Sequence, residues 1–181
     1  MSTIEKKTVE PVQLASGAEV RFVKAAGTEL DDQGRICGSL DLPLSESGQA
    51  TAADVVLGFE DQPIASIFTA SCLAAQQTAK AIAKSHGIRV RVEETWQNLN
   101  HGLWHGKCLG EIKETVPKFY RQWRDSPETI APPEGETFSD VRKRCLASVK
   151  KIKKKKHQTG KLILVVAPQP LLQILHDLFC E

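Results

Sequence analysis

Lys24 is where chemistry could begin. It ends a β-branched and aromatic run, Val20-Arg21-Phe22-Val23, and opens a stretch of small residues, Ala25-Ala26-Gly27-Thr28. In an α/β protein, ligands bind in the loops at the carboxyl ends of strands. Small residues there let the backbone come close to a ligand, and a lysine can draw in an anion. A second group worth weighing is His101, His105 and Cys108, an H-x3-H-x2-C spacing that zinc accepts. No fourth ligand is evident and the segment reads as loop, so rim positions for both histidines are the simpler reading, with no metal and no cofactor expected. Asn98 could orient a ligand; a loop asparagine bonded to its own backbone is the plainer alternative. Trp96, Trp104 and Trp123 could form an aromatic platform, although such residues more often fill a core or wall a pocket.

These residues need elements to hold them. Residues 18–24 read as a strand, 25–45 as loop, and 46–60 as a helix capped by Ser45. Pro63 precedes a short apolar strand, Ile64 to Thr69, of the kind buried in parallel sheets. Ser71 to His86 is an alanine-rich helix stopped by Gly87. Ile88 to Val92 alternates apolar and charged residues, which suits a strand nearer a sheet edge. Residues 94–106 form a second long loop, and 107–125 are helical with a break at Pro117. After the turn Pro132 to Glu136, Thr137 and Asp140 have capping-box spacing for a helix over 138–157. Lys161 to Val166 is a third parallel-type strand, and Gln169 to Cys180 a last helix. The alternation predicts an α/β fold: a three-layer α/β/α sandwich with a mostly parallel sheet.

Composition bounds the rest. The chain has 181 residues, 41% of them hydrophobic, enough for one domain, 18–181, behind a polar arm, 1–17. A net charge of +2 is too mild to imply nucleic acid as a partner. No apolar run approaches the roughly 18 residues of a membrane span. Five cysteines without a close pair read as reduced thiols of a cytoplasmic protein. The basic run Lys150 to Lys156 reads as the solvated end of an amphipathic helix, where lysines suit the dipole; RNA or an anionic surface is the alternative partner.

Four separated segments resemble the histidine phosphatase, or phosphoglycerate mutase-like, superfamily. Its first strand ends Arg-His-Gly-x-Thr, followed by G-x-x-D-x-P-L and a glycine; here Thr28, Gly34, Gly38, Asp41, Pro43, Leu44 and Gly48 fit. The second segment corresponds to Thr69 through Ala79, with Ala75-Gln76-Gln77-Thr78-Ala79. The third corresponds to Trp96 through Gly106, and Pro133 to Thr137 resembles the turn before the family's next helix. The fourth, V-S-H-G in the family, reads Val166-Ala167-Pro168-Gln169 here. The resemblance covers about 18–178 and implies a doubly wound, phosphoglycerate mutase-like fold with its pocket at the strands' carboxyl ends.

The resemblance also implies a reaction. In the family a histidine attacks phosphorus, two arginines and a second histidine hold the phosphoryl oxygens, and a carboxyl group protonates the leaving oxygen. Carried over, the first arginine becomes Lys24, which keeps charge without the bidentate fork. The nucleophile becomes Ala25, or Ala26 if the alignment shifts by one. The second arginine falls at Ala74, the acid at Asn98, and the second histidine at Pro168. His105 replaces an acid beside Trp104. Cys37 and Cys72 fall near the cleft; Cys72, at a helix start, could have a lowered pKa and act as a thiol nucleophile, although no histidine is placed beside it. The expectation is therefore a non-enzyme: an inactive binding or regulatory module for a phosphorylated small molecule or a protein partner, with Lys24, Thr28, Asn98, His101 and His105 as ligand contacts. The alternatives are a divergent phosphoester hydrolase, phosphatase or mutase, using other residues, and a structural interaction protein with a filled cleft. The family commonly continues into a further strand after the last helix, so a sheet edge left open here makes a homodimer an additional expectation.

Overall fold

The computed structural model describes residues 10–155 and 159–181. Lys156, the last residue of the basic run, lies outside them. Five strands form the sheet: β1 (Val12–Gln13), β2 (Glu19–Lys24), β3 (Ile64–Ala70), β4 (Val90–Glu93) and β5 (Leu162–Ala167), in the order β1-β2-β5-β3-β4. All pairings are parallel except β1 with β2. The expected three-layer α/β/α sandwich is observed. α2 (Glu46–Leu57) packs with α3 (Leu73–His86), and α6 (Phe138–Lys154) packs with α7 (Leu171–Cys180).

The sheet centre follows from composition. β5 is wholly apolar apart from its backbone and every residue of it is buried, as a parallel strand covered on both faces must be. β4 alternates, pairs with β3 alone, and is an edge. Segment 12–18 is not a loose arm. The backbone reverses at Gly17, with φ of 79°, so that Val12–Gln13 pairs with Glu19–Val20 and Leu14 is buried. Two apolar residues flanking a turn were too short a signal to predict this strand.

Helix starts match their caps. Ser45 Oγ accepts from the Gly48 N–H, and Thr137 and Asp140 form the expected reciprocal box. The Gly87 stop is left-handed, at φ of 62°. The helical region after residue 107 splits at Pro117 into α4 (Leu109–Thr115) and α5 (Pro117–Asp125). Loop 25–45 contains an unpredicted single turn, α1 (Glu29–Asp32), capped by Thr28. The basic run closes α6, where Lys153 Nζ donates to the Phe179 carbonyl at 2.9 Å, so that lysine is tethered and not merely solvated. No helix among the described residues is long and apolar enough to cross a membrane.

Candidate active site

A cleft of about 230 Å³ opens at the carboxyl ends of the parallel strands. Its position is set by register. Lys24 pairs with Ala167, and the Ala25 N–H donates to the Ala167 carbonyl at 2.9 Å, so the ends of β2 and β5 deliver Lys24, Ala25 and Pro168 together. α3 starts beside them and adds Cys72 and Ala74. Buried ties hold the small-residue loop to α3. The Ala26 N–H donates to Thr78 Oγ1 at 3.1 Å, and that hydroxyl donates to the Ala74 carbonyl. Asp41 accepts from the Leu73 N–H at 2.6 Å, and Gln77 accepts from the Leu44 N–H at 2.8 Å. The motif residues Asp41, Gln77 and Thr78 are thus braces for the rim of the cleft. Gly48 is needed for close approach: a Cβ there would stand 2.0 Å from the Gly27 carbonyl oxygen.

The third segment enters through Arg144. Its guanidinium donates to the carbonyls of Thr95, Gln97 and Asn98 at 2.6, 2.7 and 3.3 Å, and pairs with Glu136 at 3.2 Å. Glu136 in turn accepts from the Asn100 N–H at 3.1 Å. One arginine on α6 therefore fixes the loop that carries Asn98 and His101.

Lys24, Ala25, Thr28, Ala74, Asn98, His101 and Pro168 all line this cleft. Their local roles differ from simple expectation. Lys24 is exposed at the mouth, and its ammonium makes no hydrogen bond or ion pair among the described residues. Thr28 is committed to capping: its hydroxyl and N–H both donate to Asp31 Oδ2 at 2.7 Å. Asn98 is buried, and it bonds distant backbone instead of its own loop. Its Nδ2 donates to the carbonyls of Gly38 and Gln169 at 3.0 and 3.2 Å. His105 does not line the cleft. Its Nε2 accepts from the N–H groups of Ser39 and His101, at 3.2 and 3.3 Å, and so clasps the two loops behind the wall. Gly38, at φ of 56°, makes room, since a Cβ would lie 2.4 Å from His105 Nε2. Cys108 caps α4, and His101 turns its Nδ1 to the Leu99 carbonyl at 3.2 Å, so the H-x3-H-x2-C spacing does not converge on one point.

His101 is the chemically notable side chain. Only 6% of it is exposed, and burial lowers its pKa to about 4, against the smaller opposing effect of its bond to the Leu99 carbonyl. At neutral pH it is an uncharged imidazole. Nδ1–H is committed to a carbonyl, which leaves Nε2 as an acceptor. The thiols behave otherwise than the sequence suggests. Cys72 does precede α3, but burial pushes its pKa up, and burial does the same to Cys37. A helix N-terminus lowers a thiol only where desolvation does not outweigh it. Two further lining residues, Arg35 and Gln169, escaped the sequence reading. Arg35 donates to the Gly106 carbonyl at 2.7 Å. A polar residue two positions after an apolar strand was the available signal for Gln169.

Trp96 is fully buried and donates to Ser148 Oγ at 2.7 Å, a core role. Trp104 and Trp123 meet edge to face at 5.1 Å in a satellite core, and Trp123 also walls the cleft.

Known proteins are similar to this chain in sequence and in fold. Residues 21–180 match the histidine phosphatase superfamily (branch 1). Phosphoserine phosphatase 1 of Hydrogenobacter thermophilus is 26% identical over 150 residues, which cover 83% of this chain and 71% of that protein. A Yersinia enterocolitica protein named "Probable phosphoglycerate mutase GpmB" is 27% identical over 131 residues, 72% of this chain and 61% of that one. Among solved structures, the mycobacterial glucosyl-3-phosphoglycerate phosphatase in complex with VO3 is 26% identical. It superposes with a TM-score of 0.74 over 85% of this chain and 77% of that chain.

These relatives overturn the expectation of a non-enzyme. Proteins similar in sequence or fold are named phosphatases and a mutase, so the family is enzymatic. The side chains at Ala25, Ala74, Asn98 and Pro168 bear on one route only, attack by a histidine at the end of β2. Lys24, at the end of the same strand, and Arg35, His101 and two thiols line the same cleft. The chain belongs to the histidine phosphatase superfamily, branch 1.

Proposed function

We propose that the protein is a divergent phosphoester hydrolase, in which Lys24 holds the phosphoryl group and His101 serves as base toward an attacking water. The observation that carries this reading is a lysine without a hydrogen bond or ion pair among the described residues and an uncharged, buried imidazole, both lining one cleft at the carboxyl ends of β2 and β5. Family membership and the named phosphatases among its relatives support phosphoesters as the substrate class.

Phosphoryl transfer depends mainly on position and on neutralising charge at the phosphoryl oxygens. Lys24 supplies an exposed positive charge, and Arg35 a second, partly engaged by the Gly106 carbonyl and by Glu111 at 3.9 Å. Water's oxygen bonds to phosphorus as the ester P–O bond breaks. Water's proton passes to His101 Nε2, a solvent water protonates the departing alkoxide on the opposite side of phosphorus, and His101 returns its proton to solvent. Because Nδ1–H stays on the Leu99 carbonyl, the ring keeps one orientation through the cycle. Five free cysteines support a cytoplasmic setting.

The test is phosphate release from a panel of phosphomonoesters by the full chain and two variants purified identically. His101→Gln should lower kcat by about 100-fold or more, the usual scale for a positioned base. Lys24→Ala should raise KM about tenfold, a charge-assisted contact's share. After correction for the substrate's own phosphate ionisation at about pH 6, activity should fall only as pH drops toward 4. Equal rates for wild type and His101→Gln would reject the base assignment, and no turnover of any ester would reject the function.

A further inference from the structure

Charge is spread unevenly along this chain. Residues 142–161 contain ten lysines and arginines and no aspartate or glutamate. The rest of the chain holds 14 basic residues against 22 acidic ones, so the modest total of +2 is +10 on one segment and −8 elsewhere.

Most of that segment is α6, and its cations fall into two sets. The arginines are engaged within the fold. Arg142 pairs with Glu181, and Arg144 holds the 95–98 loop and Glu136. Lys153 is tethered to the Phe179 carbonyl, and Lys143 pairs with Asp140 at 3.5 Å. Lys150, Lys154 and Lys155 are exposed, and their ammonium groups make no hydrogen bond or ion pair among the described residues. At about 100° per residue, Lys143, Lys150 and Lys154 lie within about 40° of one another around the helix, in a row about 16 Å long. The buried stripe of Val141, Cys145, Val149 and Ile152 is on the opposite side. Lys151 flanks the row toward the sheet edge, where it and Arg91 of β4 both stand near the Glu93 carboxylate. The basic face therefore spans two elements.

Three features say what this face suits. It carries no groove of the cleft, to which α6 gives only Phe138, about 24 Å along the helix from Lys154. It is bare of large apolar side chains: the exposed ones, Leu40, Leu57, Leu73, Leu103 and Val116, lie elsewhere. A protein partner would bury an apolar core, and a single-stranded nucleic acid would stack its bases on aromatic rings. Its free charges on α6 are all lysines, which are compact, hydrated point charges, whereas planar recognition of individual phosphates favours arginine. A layer of anionic lipid headgroups needs neither a groove nor fixed geometry, only a plane of positive charge. The acidic remainder of the molecule is repelled by such a layer, so the face also sets the orientation of docking.

We infer that the lysine face of α6 docks the protein reversibly on anionic phospholipid, with Lys150, Lys151, Lys154 and Lys155 as its principal contacts.

The test is co-sedimentation of the full chain with phosphatidylcholine vesicles that contain either no phosphatidylserine or about one third of it. The chain should bind the mixed vesicles and not the neutral ones. Raising salt from about 0.1 to 1 M, which shortens the screening length from about 10 to 3 Å, should release it. Lys150→Gln/Lys154→Gln should weaken partitioning about 25-fold, at about fivefold per lysine. Lys80→Gln/Lys84→Gln is the control. It removes the same charge from exposed positions on α3, across the sheet from α6, and should change partitioning by less than about threefold. Equal binding to the two kinds of vesicle, no binding at low salt, or equal losses in the two variants would overturn the inference. So would tighter binding to a single-stranded RNA matched in anionic charge, which would assign the face to nucleic acid. If a variant fails to fold, the vesicle, salt and RNA comparisons on the wild type decide alone.

Discussion

His101 differs from a surface histidine because it is removed from water, and that difference has a thermodynamic consequence. Its folded pKa, about 4, lies below the ordinary value of 6.5. Between those values the unfolded chain takes up a proton that the folded chain refuses, so stability must fall as pH drops from about 6.5 to 4 and level off below. The full shift is worth on the order of 3 kcal/mol. Denaturant midpoints measured between pH 4 and 7 should show this decline, and His101→Gln should flatten it; an unchanged slope in the variant would assign the decline to other groups. Asn98 shows how context decides a residue's task. An asparagine in a loop read as self-bonded in sequence, yet its amide bridges two segments 60 and 71 residues away in sequence.

Arg144 and the helix that carries it act at the scale of elements. α6 borders the cleft with Phe138 at its start, while Arg144, further along, holds three carbonyls of the 95–98 loop. Arg144→Ala should destabilise the fold by about 2–3 kcal/mol, through loss of charge-assisted bonds and an unpaired Glu136. It should also lower kcat more than it raises KM, since the loop carries His101; urea melts and steady-state rates test both. A milder change is Thr137→Ala, which removes the N-cap of the same helix and should cost about 1 kcal/mol while leaving rates unaltered. The contrast between these variants separates the stability of α6 from its positioning of the loop.

The whole molecule is organised about β5, which pairs on both sides and carries cores above and below. Leu164 is fully buried there, and Leu164→Ala should cost about 3–5 kcal/mol in unfolding free energy. Gly48→Ala acts differently. The contact with the Gly27 carbonyl allows no Cβ, so α2 or the 25–28 loop must shift. The variant should lose ligand affinity at the cleft along with stability, a pairing that calorimetry would reveal.

Strand and helix order, the caps at Ser45 and Thr137, the stop at Gly87 and the identity of the family segments were all legible in the sequence. They depend on short-range rules: side-chain periodicity, a hydroxyl reaching three residues along, a glycine tolerating positive φ. The strand at Val12–Gln13 and the turn at Thr28 were not legible, because two to four residues carry too little pattern. Nor was the content of the cleft. Residue-by-residue comparison with the family placed Lys24, Ala25, Ala74, Asn98 and Pro168, and the fold does gather these positions. It could not show that His101 would be buried and uncharged, or that His105 would clasp loops behind the wall. Those properties arise from groups far apart in the chain that exclude water from one another, and only tertiary structure sets that exclusion.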